Sequence, residues 1–145
     1  DEKGCFGIGF GGGNITSNVA HGLSALDANT TGVNNVGVGY QSLYTNTTGG
    51  YNVAIGYTAL YANTTGYNNT AVGRQALNAN TIGYSNVAVG TDALLNNTTG
   101  NYNVALGWYA GISVFNIVHK VNSPKNAMQV DSSQPLLIVD KPVRF

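Results

Sequence analysis

The sequence predicts an all-β fold, a parallel β-solenoid (β-roll) of about six 17-residue coils with a short non-repeat β segment at its C-terminus. One observation is a glycine every 17 residues, at Gly22, Gly39, Gly56, Gly73, Gly90 and Gly107. Another is that the columns around these glycines repeat with them, and one column is asparagine in all six copies. A fixed period of this length is typical of a solenoid, in which each repeat stacks on its neighbours.

The repeat divides the 145-residue chain into three parts. Residues 1–14 include a segment like the repeat core that ends at Gly9, too close to Gly22 for a full coil, so we expect an atypical terminal coil or cap. Residues 15–111 carry the solenoid repeats. From residue 112 the repeat stops, and residues 112–145 are predicted to cap the open end of the coil. Alternatively, this segment or the glycine-rich start adds a strand to the next subunit and builds a filament.

Each copy contains a segment in which β-branched residues alternate with a small residue, as in Val53, Ala54 and Ile55. Alternation with period two predicts a strand, and we expect its valine face to fill the core. The small face is then expected to pack against a neighbouring chain. An apolar pair further along, such as Ala59 and Leu60, predicts a second short strand in each coil.

The most uniform side-chain column is asparagine. Stacked at a strand spacing of about 4.8 Å, its amides can form a hydrogen-bonded ladder along the solenoid. The ladder residues are Asn18, Asn35, Asn52, Asn69, Asn86 and Asn103.

A second asparagine column precedes threonine and then glycine at a predicted corner that faces outward. Asparagine and threonine of such a turn can bond their own backbone, and the following glycines are expected to adopt positive φ. The same triplets are also acceptor motifs for N-glycosylation. The candidate glycosylation sites are Asn14, Asn29, Asn46, Asn63, Asn68, Asn96 and Asn97.

Charge is scarce, since Asp, Glu, Lys and Arg make up 8% of the residues and the formal net charge is zero. Nothing in this composition would attract a phosphate backbone, so nucleic acid is not expected as a partner. No apolar stretch approaches the roughly 20 residues that span a bilayer, so no membrane span is expected. The single cysteine, Cys5, cannot form a disulfide within one chain and is expected to be buried, with a bridge between two chains as the alternative.

Catalytic chemistry has little support. His21 and His119 are separated by about six predicted coils, which argues against a shared metal site. Gly7, Gly9 and Gly12 match a GxGxxG pattern but lack the helix that a dinucleotide site needs. Ser24 lacks the flanking glycines of a nucleophile elbow. We therefore expect no enzyme, no catalytic residue, no metal and no cofactor.

Tyrosines are the candidate ligand contacts, because exposed aromatic rings on a neutral surface can stack on sugar rings. The alternative is that they pack along the rod or at a boundary between chains. They are Tyr40, Tyr51, Tyr57, Tyr67, Tyr84 and Tyr102.

Four strings carry a resemblance: NVAIG from Asn52, NTAVG from Asn69, NVAVG from Asn86 and NVALG from Asn103, each followed by alanine three residues later. They resemble the head repeats of YadA-like trimeric autotransporter adhesins and repeats of phage and virus tail fibres. The resemblance covers about residues 15–111. It implies a left-handed parallel β-roll, three chains around a shared axis and a role in surface attachment.

These observations together predict a non-catalytic structural subunit of an extracellular fibre, such as a tail fibre, adhesin shaft or filament. It would associate with itself, as a homotrimer or head to tail, on a cell surface or a virion. The alternative is a surface adhesin module that binds glycans or, through a regular threonine array, ice.

Overall fold

A computed structural model describes residues 8–111. In this range the chain winds as a parallel β-solenoid with one sheet of seven short strands, which lie in the sheet in sequence order. A 3-10 turn spans Gly12–Asn14, and the described residues contain no α-helix. The strands are β1 (Ile8–Gly9), β2 (Val19–His21), β3 (Val36–Val38), β4 (Val53–Ile55), β5 (Thr70–Val72), β6 (Val87–Val89) and β7 (Val104–Leu106).

Strands β2 to β7 pair in parallel, and each residue lies beside the residue 17 positions later. Ala54, for example, pairs with Ala71, and Val53 with Thr70. Equivalent side chains are therefore stacked coil upon coil. The parallel β-solenoid predicted from the 17-residue period is confirmed.

The prediction that the valine face fills the core is wrong. Ala54, Ala71 and Ala88 are fully buried, whereas Ile55 and Val89 are about 40% and 38% exposed. The coil is too narrow for valine inside: a Cβ on Gly37, in the alanine column, would lie 3.1 Å from Ser42 Oγ and 3.5 Å from Leu26 Cγ. Alanine is small because it faces the opposite wall of its own coil, not a neighbouring chain.

The predicted second strand is also absent from the described coils. Its place is taken by a turn in which two residues adopt left-handed φ, as Gln41 (φ 51°) and Leu43 (φ 52°) do in the second coil. For residues other than glycine this conformation costs roughly 1–2 kcal/mol each. Burial of the leucine side chain, worth about 1.5–3 kcal/mol, offsets it. The fully buried leucines are Leu26, Leu43, Leu60, Leu77 and Leu94.

Two glycine columns shape the coil for different reasons. The glycine that follows each of the strands β2 to β7 has φ between 119° and 139°, a region that other residues avoid. The corner glycines after the threonines do not have positive φ, so that prediction is wrong. A side chain on Gly49 would instead collide with the carbonyl of Gly66 and the amide of Asn46. Close approach of the backbone, rather than φ, requires glycine at this corner.

The start of the described chain folds onto its own first coil. β1 pairs antiparallel with β2, with Gly9 beside Ala20. Gly12 N donates a 2.7 Å hydrogen bond to Leu26 O, and a side chain on Gly11 would collide with Leu26. Residues 8–13 are therefore engaged with the first coil of their own chain.

Several predictions lie outside the described residues: the cap or arm at residues 112–145, the fate of Cys5, and the surroundings of His119 and Gly7. Among residues 8–111, no helix has the length and apolar character that crossing a bilayer requires.

Candidate functional site

The first asparagine column forms a continuous ladder inside the solenoid. Asn52 Nδ2 donates to Asn35 Oδ1 at 3.2 Å, and Asn69 Nδ2 donates to Asn52 Oδ1 at 3.1 Å. The same Asn52 Oδ1 also accepts the backbone N–H of Asn69 at 3.0 Å. Because these amides are buried, each satisfied group avoids a penalty of about 1–3 kcal/mol. The ladder holds successive coils at one register.

The second asparagine column forms another buried ladder, which the sequence interpretation placed on the outside. Asn46 Nδ2 donates to Asn29 Oδ1 at 2.8 Å, and the contact repeats up the column to Asn97. Gly49 O accepts from both columns, 2.8 Å from Asn35 Nδ2 and 2.9 Å from Asn46 Nδ2. The corner carbonyl thus joins the two ladders.

Burial separates the candidate glycosylation sites into two groups. Asn29, Asn46, Asn63 and Asn97 are between 0% and 3% exposed. The Nδ2 atoms of Asn46, Asn63 and Asn97 donate within the ladder, and that of Asn29 donates to Gly32 O. In the folded chain these four side chains are not accessible for a glycan. The exposed sites are Asn14, Asn68 and Asn96.

The outward side of the sheet is a largely apolar surface. We define the outer strand face as the two rows of strand residues that flank the buried alanine column. It is interrupted only by His21, at the end of β2, and by Thr70 in β5. His21 is exposed. Its apolar members are Val19, Val36, Val38, Val53, Ile55, Val72, Val87, Val89, Val104 and Leu106.

Tyrosines lie on other parts of the surface and stack along the solenoid. The rings of Tyr40 and Tyr57 are 5.3 Å apart and nearly parallel, and those of Tyr67 and Tyr84 are 4.8 Å apart at 2°. Tyr102 contacts Tyr84 edge-on at 5.2 Å, and a side-chain hydrogen bond between them raises the pKa of Tyr84. Tyr84 is half-buried, and the other five candidates are exposed: Tyr40, Tyr51, Tyr57, Tyr67 and Tyr102.

The first threonine of each corner bonds the next coil. Thr47 Oγ1 donates to Thr64 O at 3.0 Å, and Thr64 Oγ1 donates to Thr81 O at 3.1 Å. These hydroxyl protons are therefore used inside the protein. A regular array of free hydroxyls, which the ice-binding alternative requires, is not available from this row.

Titratable groups are few in the described part. Arg74 Nη2 lies 2.8 Å from Asp92 Oδ2, and the Asp92 side chain is 2% exposed. Across residues 8–111, no three His, Cys, Asp or Glu side chains are grouped so that they could hold a metal ion.

No protein-family model matches the chain, and neither a curated protein nor a solved structure is significantly similar to it.

Proposed function

We propose that this chain is a non-catalytic structural subunit of an extracellular fibre, and that copies associate through the outer strand face. The observation that carries the proposal is the orientation of the strands: their small residues face the interior of the coil, and their β-branched residues face outward. A contiguous exposed apolar patch on a folded chain marks a surface that another molecule covers.

A second copy is the partner that best suits this face. Each coil presents nearly the same pair of side chains, so two or more copies can meet row against row without a change of register. The only formal charges in residues 8–111 are Asp27, Arg74 and Asp92, so this part of the chain offers little attraction for a strongly charged partner.

The shape of the face favours more than two chains. Six strands spaced by about 4.8 Å make it roughly 24 Å long, and two alternate residues make it only about 7 Å wide. A strip of this size falls well short of the ~800 Å² per partner that is usual in a stable two-chain interface. Around a shared axis each copy contacts two neighbours, and flanking residues add to the buried area.

The N-terminal end of the solenoid favours side-by-side association over end-to-end stacking. β1 occupies the free edge of β2 in antiparallel pairing, so another chain cannot extend the parallel sheet directly from β2. The resemblance to YadA-like adhesin heads and tail-fibre repeats supports the same arrangement, three chains around one axis on a cell surface or virion.

The test introduces charge on the outer strand face. An Ile55→Lys/Val89→Lys variant should keep the circular dichroism of the native chain and fall to a lower native mass. The matched control is Ile82→Lys, because Ile82 is 54% exposed at the corner rather than on a strand. Negative-stain images of the unmodified protein should show rods or discrete trimers. A monomeric unmodified protein, or an Ile55→Lys/Val89→Lys variant of unchanged mass, would overturn the proposal.

A glycan-binding role stays the alternative, because five of the six candidate tyrosines are exposed on a neutral surface.

A further inference from the structure

The column of residues that follow the corner glycines contains a gap, because one of its members is a glycine and has no side chain. The residues that follow the corner glycines are Val33, Gly50, Tyr67, Tyr84 and Asn101 in successive coils. Tyr84 covers one face of the Tyr67 ring, at 4.8 Å and 2°. The other face of Tyr67 is directed toward the preceding coil, where Gly50 has no side chain. Val33 occupies the same column in the coil before that of Gly50.

The spacing of the coils sets the thickness of this gap. Val33 and Tyr67 are two coils apart, which is roughly 9.6 Å at the usual strand spacing of about 4.8 Å. A ring placed between Val33 and Tyr67 would lie about 4.8 Å from the Tyr67 ring. Tyr84 lies at the same distance on the opposite face of Tyr67. The gap therefore accepts one ring layer.

Gly50 forms the floor of a shallow cavity of about 560 Å³ that is wide open to solvent. Val33, Tyr67 and the 59% exposed Tyr51 also line it. Thr48, Thr65 and Asn68 complete the lining with two hydroxyls and an amide, all on exposed residues. The cavity thus combines an aromatic face with neutral hydrogen-bonding groups.

This combination selects the class of ligand. No lining residue carries a formal charge, so an ionic ligand would lose hydration without gaining a counter-charge. The face of a tyrosine ring is electron-rich and favours contact with the weakly positive C–H groups of a sugar face. Hydroxyl and amide groups at the rim suit the hydroxyls around the edge of such a ring.

We propose that the gap at Gly50 binds one neutral pyranose unit of a glycan, stacked on the free face of Tyr67. Thr48, Thr65 and Asn68 exchange hydrogen bonds with its hydroxyls, and Tyr51 shields one side. A shallow site for a single ring binds weakly, with a dissociation constant of about 1 mM. Several copies in one fibre would raise the avidity for a glycan-coated surface.

The test fills the gap with a residue that the column already contains. In Gly50→Tyr the new ring continues the stack of Tyr67 and Tyr84. Gly50 does not have positive φ, and the nearest atoms to a new Cβ are Val33 O at 3.1 Å and Val33 Cγ2 at 3.7 Å, so Val33 must shift by a few tenths of an ångström to admit the side chain. A second variant, Tyr67→Val, removes the stacking face and introduces the residue that stands at position 33. The control is Tyr40→Leu, which removes an exposed stacked tyrosine outside the gap.

Saturation-transfer NMR would be recorded with the methyl glycosides of glucose, galactose, mannose and N-acetylglucosamine, each at about 10 mM, well above the expected dissociation constant. We expect transfer to the C–H protons of one sugar face for at least one glycoside. Gly50→Tyr and Tyr67→Val should reduce it at least about five-fold, and Tyr40→Leu should retain it.

Two results would overturn the proposal: no transfer from any of the four glycosides, or transfer that Gly50→Tyr leaves unchanged. A third is a fall in native mass with Gly50→Tyr, which would show that a second copy occupies the gap. Because the outer strand face is intact in all three variants, loss of sugar binding at constant native mass leaves the assembly proposal standing.

Discussion

Asn63 donates a 2.8 Å hydrogen bond from Nδ2 to Oδ1 of Asn46, the equivalent side chain one coil earlier. Its other amide proton is directed to Gly66 O at 3.0 Å. Nδ2 is the atom to which an N-linked glycan is attached, so a glycan on Asn63 would replace a ladder proton with a bulky group. The motif of Asn, Thr and Thr at this corner therefore serves the fold.

We predict that a folded chain secreted from a glycosylating host carries no glycan at the buried Asn29, Asn46, Asn63 and Asn97 and is open to modification at the exposed Asn14 and Asn96. Glycopeptide mass spectrometry of the secreted, folded fraction would measure the occupancy of each site. Glycan on Asn46 or Asn63 in protein that retains native circular dichroism would contradict the buried ladder.

The ladder should contribute strongly to stability. Replacing Asn52 by alanine removes four hydrogen bonds, two donated by Nδ2 and two accepted by Oδ1. At about 1 kcal/mol each, we expect Asn52→Ala to lower the free energy of unfolding by about 4 kcal/mol. Urea denaturation followed by circular dichroism would measure it. Thr65→Ala, at an exposed corner, is the control and should change it by less than about 0.5 kcal/mol; equal effects of the two variants would remove the ladder as a stabilising element.

The orientation of the strands can be tested with two neighbouring residues of β5. Ala71 is fully buried and Thr70 is half-buried on the outer strand face. Ala71→Val adds volume inside a narrow coil and should destabilise the chain by about 1–3 kcal/mol. Thr70→Val places the same residue between Val53 and Val87 and should be neutral or slightly stabilising.

Thermal unfolding of the two variants would give the answer, because they differ only in the face that receives the valine. If Thr70→Val were the more destabilising change, valine would not belong on the outer face and the inward placement of alanine would be wrong.

This pair of residues also shows how far the sequence could predict the fold. The period fixes which residues stack, and alternation fixes which residues share a face. Alternation does not decide which face is inside. The deciding signal was the uniform small size at Ala54, Ala71 and Ala88: a column limited to alanine and glycine has no room, whereas the outward column tolerates Thr70 among valines.

Other features had a weaker signal or none. The second ladder could have been inferred from its uniformity, since every asparagine there precedes a corner glycine by three residues, as Asn46 precedes Gly49. The left-handed conformation of Leu43 had no local signal, because leucine avoids it and only the closure of the coil imposes it. The gap at Gly50 exists because this one coil has glycine where the other coils have a larger residue. A consensus of the repeats does not include such a single exception.

The last prediction concerns Asp92, whose Oδ2 lies 2.8 Å from Arg74 Nη2 and whose Oδ1 is buried without a hydrogen-bond partner. Arg74→Ala would leave this carboxylate unpaired. Because Arg74 is 53% exposed and water can reach its position, we expect the free energy of unfolding to fall modestly, by about 1–2 kcal/mol.

Glutamine stands at the equivalent position in two other coils, as Gln41 and Gln75, so Asp92→Gln should be close to neutral. In the Asp92→Gln background, Arg74→Ala should have almost no further effect, since no carboxylate remains to be paired. A double-mutant cycle by urea denaturation measures this coupling. Strictly additive effects of the two substitutions would mean that the ion pair contributes nothing to the stability of the coil.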